Sequence, residues 1–359
     1  MRVLFIKQFP DKSEVDLALR LHSMGVYIRV LSDKKSLGRD ELSAAGIHIE
    51  SVPYRSKISL GFIWQIRRIL DQHEFDIIHS TDGKGLANAI WASYFRSVKI
   101  VGYRGTLAKV RRSDPSYWLG LLNPRVNHVV CVNRPIYDYM HNFFPAEKLS
   151  LNYKGYSLSW ADEAVNGVVE PLDFPEGAFV VGYIANTRNR PFKGLSILVR
   201  AMHLLNEPNI YLLFIGDYDE DVLAQAEQGS AADRILFLGS RENAAGYLRY
   251  VDAFVLPSTR DGLPRAMKEA MAQGVPVITS NIIGPTELVI HEESGLWVEA
   301  DNPQAIADGI RQLYESPALR KKLGDAGRQR LIDEFSAESF VAKTYALYQR
   351  LMSSDADNV

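Results

Sequence analysis

The sequence predicts an α/β protein made of two doubly wound domains. Short apolar runs alternate with amphipathic, helix-length segments along the chain, which is the pattern of a parallel sheet covered by helices. Turn residues such as Gly, Pro, Asp and Ser follow several of the apolar runs. With 359 residues the chain is longer than one α/β domain of usual size, so two domains are expected.

In the first half of the chain the predicted strands span residues 3–6, 27–31, 47–52, 76–79, 99–103 and 128–132. Helices are predicted over residues 14–24 and 60–73. Around the second helix, one apolar face can hold Ile58, Phe62, Ile66, Ile69 and Leu70. A core helix is the favoured interpretation of this face, and docking on a membrane surface is the alternative.

In the second half, the predicted strands span residues 179–184, 211–215, 235–238, 254–256, 275–279 and 296–298. The segment before them, residues 161–177, is rich in Asp, Glu, Pro and Gly and is predicted to be a linker. Helices over residues 303–313, 319–334 and 337–351 are predicted to close the chain.

Composition and charge restrict the function classes. Hydrophobic residues make up 47% of the chain, but no apolar run reaches the length of about 20 residues that spans a membrane. Met1 runs directly into a strand, so no signal peptide is expected, and the single cysteine, Cys131, is expected to be a core residue. We therefore expect a cytoplasmic protein without internal disulfides.

The charges are unevenly distributed along the chain. Residues 1–158 contain 23 Lys and Arg against 14 Asp and Glu, whereas residues 159–359 contain 18 against 29. This asymmetry suggests different partners for the two halves. A net charge of −2 and the lack of a recognisable nucleic-acid module argue against nucleic acid as a partner.

Residues 251–288 carry the densest chemical signal, VDAFVLPSTRDGLPRAMKEAMAQGVPVITSNIIGPTEL. A buried strand is followed by turn residues, by a helix with Pro264 at its first position, and by another strand. Asp261 therefore lies in a loop beyond the carboxyl end of a strand, where parallel sheets bind ligands, and Glu269 lies on the helix.

This stretch resembles the donor-binding signature of the retaining GT-B glycosyltransferases of family 4, P-S-x-x-E-G-x-P-x-x-x-x-E-A-M-A-x-G-x-P-V. The matching residues are Pro257, Ser258, Gly262, Pro264, Glu269, Ala270, Met271, Ala272, Gly274, Pro276 and Val277. Asp261 stands where the family usually has Glu. Because Asp is one methylene shorter, either the loop lies closer to the substrate or the activity is reduced or redirected.

The resemblance implies a GT-B fold, in which two Rossmann-like doubly wound domains face a cleft. Residues 1–160 would form the acceptor domain, residues 161–177 the linker and residues 178–335 the nucleotide-sugar donor domain. A terminal helix over residues 336–352 would cross back to the first domain.

The segment ANTRNRPFKGLSIL resembles the family's G-R-x-x-x-x-K-G loop and the helix after it. Arg188 and Lys193 match the pair that grips the donor diphosphate, and Gly194 allows close packing where the helix begins. Two cations at a helix N-terminus form an anion site, because the dipole and free N–H groups add to the ion pairs.

The resemblance implies further roles around the donor. Glu269 would hold the ribose hydroxyls, and Asp261 would lie beside the transferred sugar. Gly262, Leu263 and Pro264 are assigned to the same donor-binding loop. Gly216 ends a strand that resembles the family's L-x-x-x-G-x-G segment, and Arg241 lies in the loop that borders the nucleobase, with a plain surface role as its alternative.

Acceptor binding is predicted for the first domain. His79 ends a strand where the family tends to have H-x-H, and Thr81 replaces the second histidine, so Thr81 or Asp82 would contact the transferred sugar instead. His79 itself is read as a structural residue. Four cations complete the predicted acceptor site, and they are Arg104, Lys109, Arg111 and Arg112. For Arg104, a plain solvated role is the alternative.

Together these features imply a retaining, metal-independent glycosyltransferase that needs no cofactor beyond its nucleotide-sugar co-substrate, with UDP favoured. The acceptor would be a glycan or lipid-linked glycan in lipopolysaccharide or exopolysaccharide assembly, and the inner face of the cytoplasmic membrane is a further candidate partner. A metal at Asp217-Tyr218-Asp219 is the alternative to metal independence. A catalytically silent scaffold subunit and a sugar-nucleotide epimerase of the same fold are the alternative functions.

Overall fold

The structure is a computed structural model that describes residues 1–51, 54, 56–106 and 109–353. The chain forms two α/β units. The first unit consists of Met1–Gly155 together with the C-terminal residues from Ala337, and the second consists of Tyr156–Ser336. Each unit contains a parallel sheet with crossover helices, which confirms the predicted fold class of two doubly wound, Rossmann-like domains.

The first unit has the strand order β3-β2-β1-β4-β5-β6-β7, and every pair is parallel. The strands are β1 (Arg2–Ile6), β2 (Tyr27–Ser32), β3 (His48–Ser51), β4 (Ile77–Ser80), β5 (Lys99–Arg104), β6 (His128–Cys131) and β7 (Leu149–Leu151). The helices within residues 1–155 are α1 (Lys12–Ser23), α2 (Arg39–Ala44), α3 (Leu60–Gln72), α4 (Gly83–Ala92), α5 (Pro115–Trp118) and α6 (Arg134–Met140).

Both faces of this first sheet are buried. Successive side chains of a strand point to opposite faces, and β1 shows the consequence. Val3 and Phe5 pack in a core with α1, whereas Leu4 and Ile6 pack in a second core with α3. This burial on both faces explains why the strands read as continuous apolar runs.

The second unit has the strand order β10-β9-β8-β11-β12-β13, again with parallel pairs. Its strands are β8 (Phe179–Ile184), β9 (Ile210–Ile215), β10 (Ile235–Phe237), β11 (Ala253–Leu256), β12 (Val277–Ser280) and β13 (Leu296–Val298). Its helices are α7 (Leu158–Asn166), α8 (Leu195–Leu204), α9 (Glu220–Glu227), α10 (Arg265–Ala272), α11 (Pro285–Leu288), α12 (Pro303–Glu315) and α13 (Pro317–Phe335).

The last element of the described residues is a helix that belongs to the first unit, α14 (Ala337–Ser353). Phe340, Val341, Leu347 and Tyr348 join the core that contains α1. The sequence-based domain limits therefore differ by a few residues from those of the structure, which divide the chain after Gly155 and after Ser336.

Two expectations about these elements need correction. The predicted linker at 161–177 overlaps α7, whose short buried face is made of Ala161 and Ala164, and small residues at that spacing give a weak periodic signal. Ile58 precedes α3 and is exposed, so it is not part of the buried face formed by Phe62, Ile66 and Ile69. The core-helix interpretation of that face is confirmed. Val52, the last residue of one predicted strand, lies outside the described residues.

Candidate functional site

The predicted donor residues gather at the carboxyl edge of the second sheet. Strands β8, β9, β11 and β12 are neighbours in this sheet and run in parallel, so the loops that follow them lie along one edge. Such an edge is the usual ligand-binding region of an open α/β sheet. The loops after β8 and β11 carry Lys193 and Asp261 to this edge.

The loop after β8 contains a short 3₁₀ turn, Pro191–Lys193, and Gly194 then opens α8. Gly194 has a φ of 77°, and a Cβ at this position would lie 2.1 Å from the carbonyl oxygen of Pro257. Only glycine permits both this left-handed conformation and this approach. The residue therefore lets the loop after β8 pack directly on the loop after β11.

Lys193 and Asp261 form an ion pair across these two loops. The Nζ of Lys193 lies 2.7 Å from Oδ2 of Asp261, and the two side chains are only 20% and 13% exposed. The other carboxylate oxygen, Oδ1, accepts a hydrogen bond of 2.9 Å from the backbone N–H of Gly262. The side chains expected at the diphosphate and at the transferred sugar thus contact each other.

Further contacts that were not predicted from the sequence join the two loops. The buried hydroxyl of Tyr183 donates a hydrogen bond of 2.6 Å to the carbonyl oxygen of Lys193, and burial raises the pKa of Tyr183. The N–H of Thr259 donates to the carbonyl oxygen of Phe192 at 2.8 Å. The guanidinium of Arg260 lies over the Phe192 ring, 4.3 Å from its centre. A tyrosine inside an otherwise apolar strand is the one sequence signal for this arrangement.

Glu269 is 8% exposed on α10, where Oε1 lies 2.8 Å from Nε of Arg265 one turn earlier. Arg265 is largely exposed, so this cation can move away while the carboxylate stays in place. Pro264 was predicted to be the first residue of α10, but its ψ of 127° is not helical. It is therefore the N-cap, and the helix begins one residue later. Leu263 is half-buried beside it.

Arg188, the second predicted diphosphate cation, is exposed, and its Nε donates to the carbonyl oxygen of Tyr218 at 3.3 Å. The nearby acidic loop carries Asp217 and Asp219. Asp217 accepts a hydrogen bond from Ser240, and Asp219 is a partner of the loop after β8. Within the described part of the chain, no three His, Cys, Asp or Glu side chains form a metal-holding group. Metal independence stays a prediction.

Gly216 directly follows β9, and Arg241 lies in the segment after the neighbouring strand β10. Gly216 has a φ of 141°, and a Cβ there would meet the carbonyl oxygen of Ala185 at 1.9 Å, so the loops after β8 and β9 touch at this glycine. Arg241 is exposed, and its Nη2 lies 3.5 Å from Oε2 of Glu170. Its assignment to the nucleobase stays a prediction.

In the first unit, the side chain of Asp82 has a structural role. Its side chain caps α4 by accepting the N–H of Gly85 at 2.6 Å. Oδ2 accepts the N–H of Gln8 at 3.1 Å and the hydroxyl of Tyr54. Thr81 beside it is 8% exposed. Their contact with a sugar stays a prediction, although Asp82 already has three donors within the protein.

His79 is a buried structural residue, as expected. Its Nδ1 lies 2.6 Å from the hydroxyl of Tyr348 on α14. Burial, with a smaller effect from the charge of His128, lowers the pKa of His79 to about 3. The imidazole is therefore neutral at physiological pH.

The predicted acceptor cations lie at the end of β5 and in the segment after it. Arg104 is half-buried, whereas Lys109, Arg111 and Arg112 are exposed. The indole of Trp118 donates a hydrogen bond of 2.8 Å to the carbonyl oxygen of Arg112, which places an aromatic ring beside the basic residues. Their role in acceptor binding stays a prediction.

A charged cluster at the carboxyl edge of the first sheet was not predicted from the sequence. Glu14 is buried, with Oε1 lying 3.1 Å from Nζ of Lys154 and 3.7 Å from Nζ of Lys7. Burial alone would lower the pKa of Lys154, but the charges of Glu14 and Asp11 outweigh burial and raise it. Strand β7, which precedes Lys154, was not predicted, because its three residues include a serine and do not form an apolar run.

Comparisons with known proteins agree with this architecture. The sequence profile described as Glycosyl transferases group 1 matches residues 169–330, and the profile described as Glycosyltransferase Family 4 matches residues 14–160. The lipopolysaccharide core biosynthesis glycosyltransferase LpsD of Rhizobium meliloti is 28% identical over 344 residues, which cover 94% of this chain and 93% of LpsD.

Two solved structures show the same fold. A glycosyltransferase from Rickettsia africae has a TM-score of 0.85 at 19% identity, covering 98% of each chain. Anabaena HepE, crystallised with UDP, has a TM-score of 0.78 at 19% identity, covering 99% of this chain and 100% of HepE. These likenesses confirm the predicted GT-B fold. None of the helices in the described ranges is both long enough and apolar enough to span a membrane.

Proposed function

Because this chain belongs to the group 1, family 4 glycosyltransferases, we propose that it is a retaining enzyme that transfers a sugar from a UDP-sugar to a glycan or lipid-linked glycan. The pathway we propose is lipopolysaccharide or exopolysaccharide assembly, as the name of LpsD suggests. UDP is the proposed nucleotide because HepE, a protein of the same fold, binds it.

The observation that carries the proposal is the cationic loop at the start of α8. Lys193 precedes this helix by two residues, and Arg188 and Arg190 are exposed in the same loop. The free N–H groups and the dipole of a helix N-terminus favour negative charge, and lysine and arginine add charge-assisted hydrogen bonds. A diphosphate is a ligand of matching charge.

The chemistry follows from the charge that develops on the leaving group. When the bond between the anomeric carbon and the phosphate oxygen breaks, the electron pair stays with the diphosphate. Lys193 and Arg188 stabilise that charge, and this supports a metal-independent reaction. Glu269, whose buried position fixes its carboxylate, accepts hydrogen bonds from the ribose hydroxyls.

Nucleotide binding can be tested by thermal unfolding in UDP, GDP, ADP, CMP and a set of UDP-sugars. A ligand that binds only the native state raises the unfolding midpoint with the logarithm of its concentration. We expect a shift with UDP that is strongly reduced in Lys193→Ala and in Glu269→Ala. Arg200→Ala is the matched control, because Arg200 is an exposed cation on the same α8 helix.

The outcomes separate the enzyme from the silent scaffold. A midpoint that no nucleotide moves, in protein that unfolds cooperatively, would contradict the donor site and favour the scaffold. If UDP binds, UDP-sugars with isotopically labelled sugars are then incubated with lipid-linked glycan acceptors. The anomeric configuration of the product, read by NMR coupling constants, tests retention, and activity after EDTA treatment tests metal independence.

We further propose that the first unit docks on the anionic inner face of the cytoplasmic membrane. The outer face of α3 carries Leu60, which is 80% exposed, and Trp64, which is 64% exposed. The guanidinium of Arg68 lies over the Trp64 ring, and Arg67 is its neighbour along the helix. An exposed aromatic and aliphatic pair beside cations suits the interface of an anionic bilayer. This face is separate from the buried face that packs in the core.

Vesicle sedimentation tests the docking. The chain is mixed with phosphatidylcholine vesicles that contain or lack phosphatidylglycerol, and the bound fraction is measured. We expect binding to the anionic vesicles that is lost at high salt and in Leu60→Gln/Trp64→Gln. Val168→Gln, at an exposed apolar residue of the second unit, should bind like the parent chain. Equal binding by the double variant would contradict the proposal.

A further inference from the structure

We propose that Asp261 competes with the nucleoside diphosphate for Lys193, and that this competition speeds release of the diphosphate product. The inference rests on the proposed function, because it takes Lys193 as a ligand of the diphosphate. It gives Asp261 a role that the family signature does not imply, since the resemblance places this position beside the sugar.

The geometry of Asp261 supports the inference. Both carboxylate oxygens are engaged within the two loops, Oδ1 by the N–H of Gly262 at 2.9 Å and Oδ2 by Nζ of Lys193 at 2.7 Å. The hydroxyl of Ser258 lies 3.4 Å from Oδ2 as well. The carboxylate is thus folded back on its own loop and directed at the lysine.

The backbones of the two loops are held independently of this ion pair. Tyr183 and Thr259 bind the carbonyl oxygens of Lys193 and Phe192, and Gly194 packs against Pro257. Because these contacts do not involve either charged group, removing the carboxylate should leave the lysine near its present position. What changes is the partner of the ammonium group.

Electrostatics makes the competition effective. An ammonium group has three donors, so Lys193 can hold the carboxylate and a phosphate oxygen together, but the two anions then repel each other at short range. The pair is mostly shielded from solvent, so salt screens this repulsion less than it would at the surface. Asp261 therefore lowers the affinity of the site for any diphosphate.

The product is affected more strongly than the donor. In the donor, one phosphate oxygen is esterified to the sugar, and after transfer that oxygen carries an additional negative charge. A site with unopposed cations would hold the product more tightly than the substrate, and slow product release limits many enzymes. A resident carboxylate opposes this extra charge and raises the rate of dissociation.

Calorimetric titration with UDP, and with GDP in parallel, tests the inference in the 359-residue chain. Asp261→Asn should lower the Kd for UDP roughly three- to tenfold, the range of a partly shielded ion pair. In Lys193→Met the same Asn substitution should change the Kd less than about twofold, because the competing partner is absent. The Ki of UDP as a product inhibitor should fall in parallel in Asp261→Asn.

Asp219→Asn is the matched control. It also removes one negative charge near the loop after β8, but its carboxylate binds the N–H of Asn189 and not Lys193. Its effect on the UDP Kd should stay below about twofold at physiological salt. Thermal unfolding of every variant verifies that the fold is intact.

The outcomes separate this inference from the proposed function. An unchanged or weaker UDP affinity in Asp261→Asn, with normal binding by the parent chain, overturns the competition and leaves the donor site standing. An equal gain in the Lys193→Met background also overturns it. Binding of neither nucleotide by the parent chain overturns the proposed donor site and this inference together.

Discussion

The carboxyl edges of the two sheets differ in how their charged side chains are satisfied. In the second unit, Arg188 and Arg190 remain exposed, and Lys193 forms a mostly buried ion pair with Asp261. In the first unit, Asp82 accepts three hydrogen bonds from the protein, and Glu14 is buried against two lysines. At this edge the second unit exposes two cations that can meet an anion, whereas Asp82 and Glu14 of the first unit are paired within the protein.

This difference teaches that position in an α/β fold does not by itself identify a binding site. The edge offers a place for a ligand, but the availability of the polar groups decides whether they bind one. On this basis we expect changes at the donor loops of the second unit to act mainly on activity, and changes at Asp82 and Glu14 of the first unit to act mainly on stability.

Gly194→Ala should have the largest effect. The added Cβ would meet the carbonyl oxygen of Pro257, so the loop carrying Lys193 must shift, and a displacement of about 1 Å can cost roughly a hundredfold in rate. Measurement of kcat/KM for sugar transfer checks this. Gly83→Ala is the matched substitution in the first unit, where no heavy atom lies within 4 Å of the new Cβ, and its activity should stay near that of the parent chain.

Asp82→Ala should lower the free energy of unfolding by about 2 kcal/mol, because the cap of α4 is lost and the donors that it satisfied are left unpaired. Calorimetric unfolding measures the loss, and UDP affinity should be unchanged. Asp138→Ala, at an exposed residue of the same unit, is the control. A large loss of UDP affinity with unchanged stability would contradict the structural role of Asp82.

The stability of the first unit should fall as the pH is lowered below about 6.5. The folded pKa of His79 is about 3, below the value near 6.5 of an unfolded histidine, so the unfolded chain takes up the proton first. The stability from neutral His79 is fully present above pH 6.5 and declines by about 1.4 kcal/mol per pH unit as the pH falls towards 3.

Unfolding midpoints from pH 7 to pH 5 check this dependence. The slope should be smaller in His79→Leu but should persist in Tyr348→Phe, which removes the hydrogen-bond partner and keeps the imidazole. His128, whose pKa is lowered to about 4 chiefly by burial, contributes a remaining slope in the same direction. Equal slopes in the parent chain and in His79→Leu would show that His79 is not the responsible group.

Arg241→Ala should have the smallest effect. Its ion pair with Glu170 is exposed and 3.5 Å long, so its loss should change the free energy of unfolding by less than about 1 kcal/mol. We expect UDP affinity to change no more than about threefold, as measured by titration. A loss of UDP affinity above tenfold would make Arg241 a principal nucleotide contact. It would also extend the binding region to the segment that follows β10.

The sequence by itself determined the two sheets and the location of the donor loops. Strands β8 and β13 were predicted with the limits that the structure has, because buried parallel strands are short apolar runs bounded by turn residues. The order and spacing of Gly194, Asp261 and Glu269 located the predicted donor loops in the same way, since these constraints are local along the chain.

Tertiary structure alone decided which charged groups meet. Lys193 and Asp261 are 68 residues apart, and the hydrogen-bond donors to Asp82 come from three separate segments of the first unit. Helix α7 was missed because its buried face is made of alanines, whose burial depends on the neighbours they pack against. Periodicity and motifs record what each segment needs locally, whereas pairing of charges is set by distances that exist only once the sheets have formed.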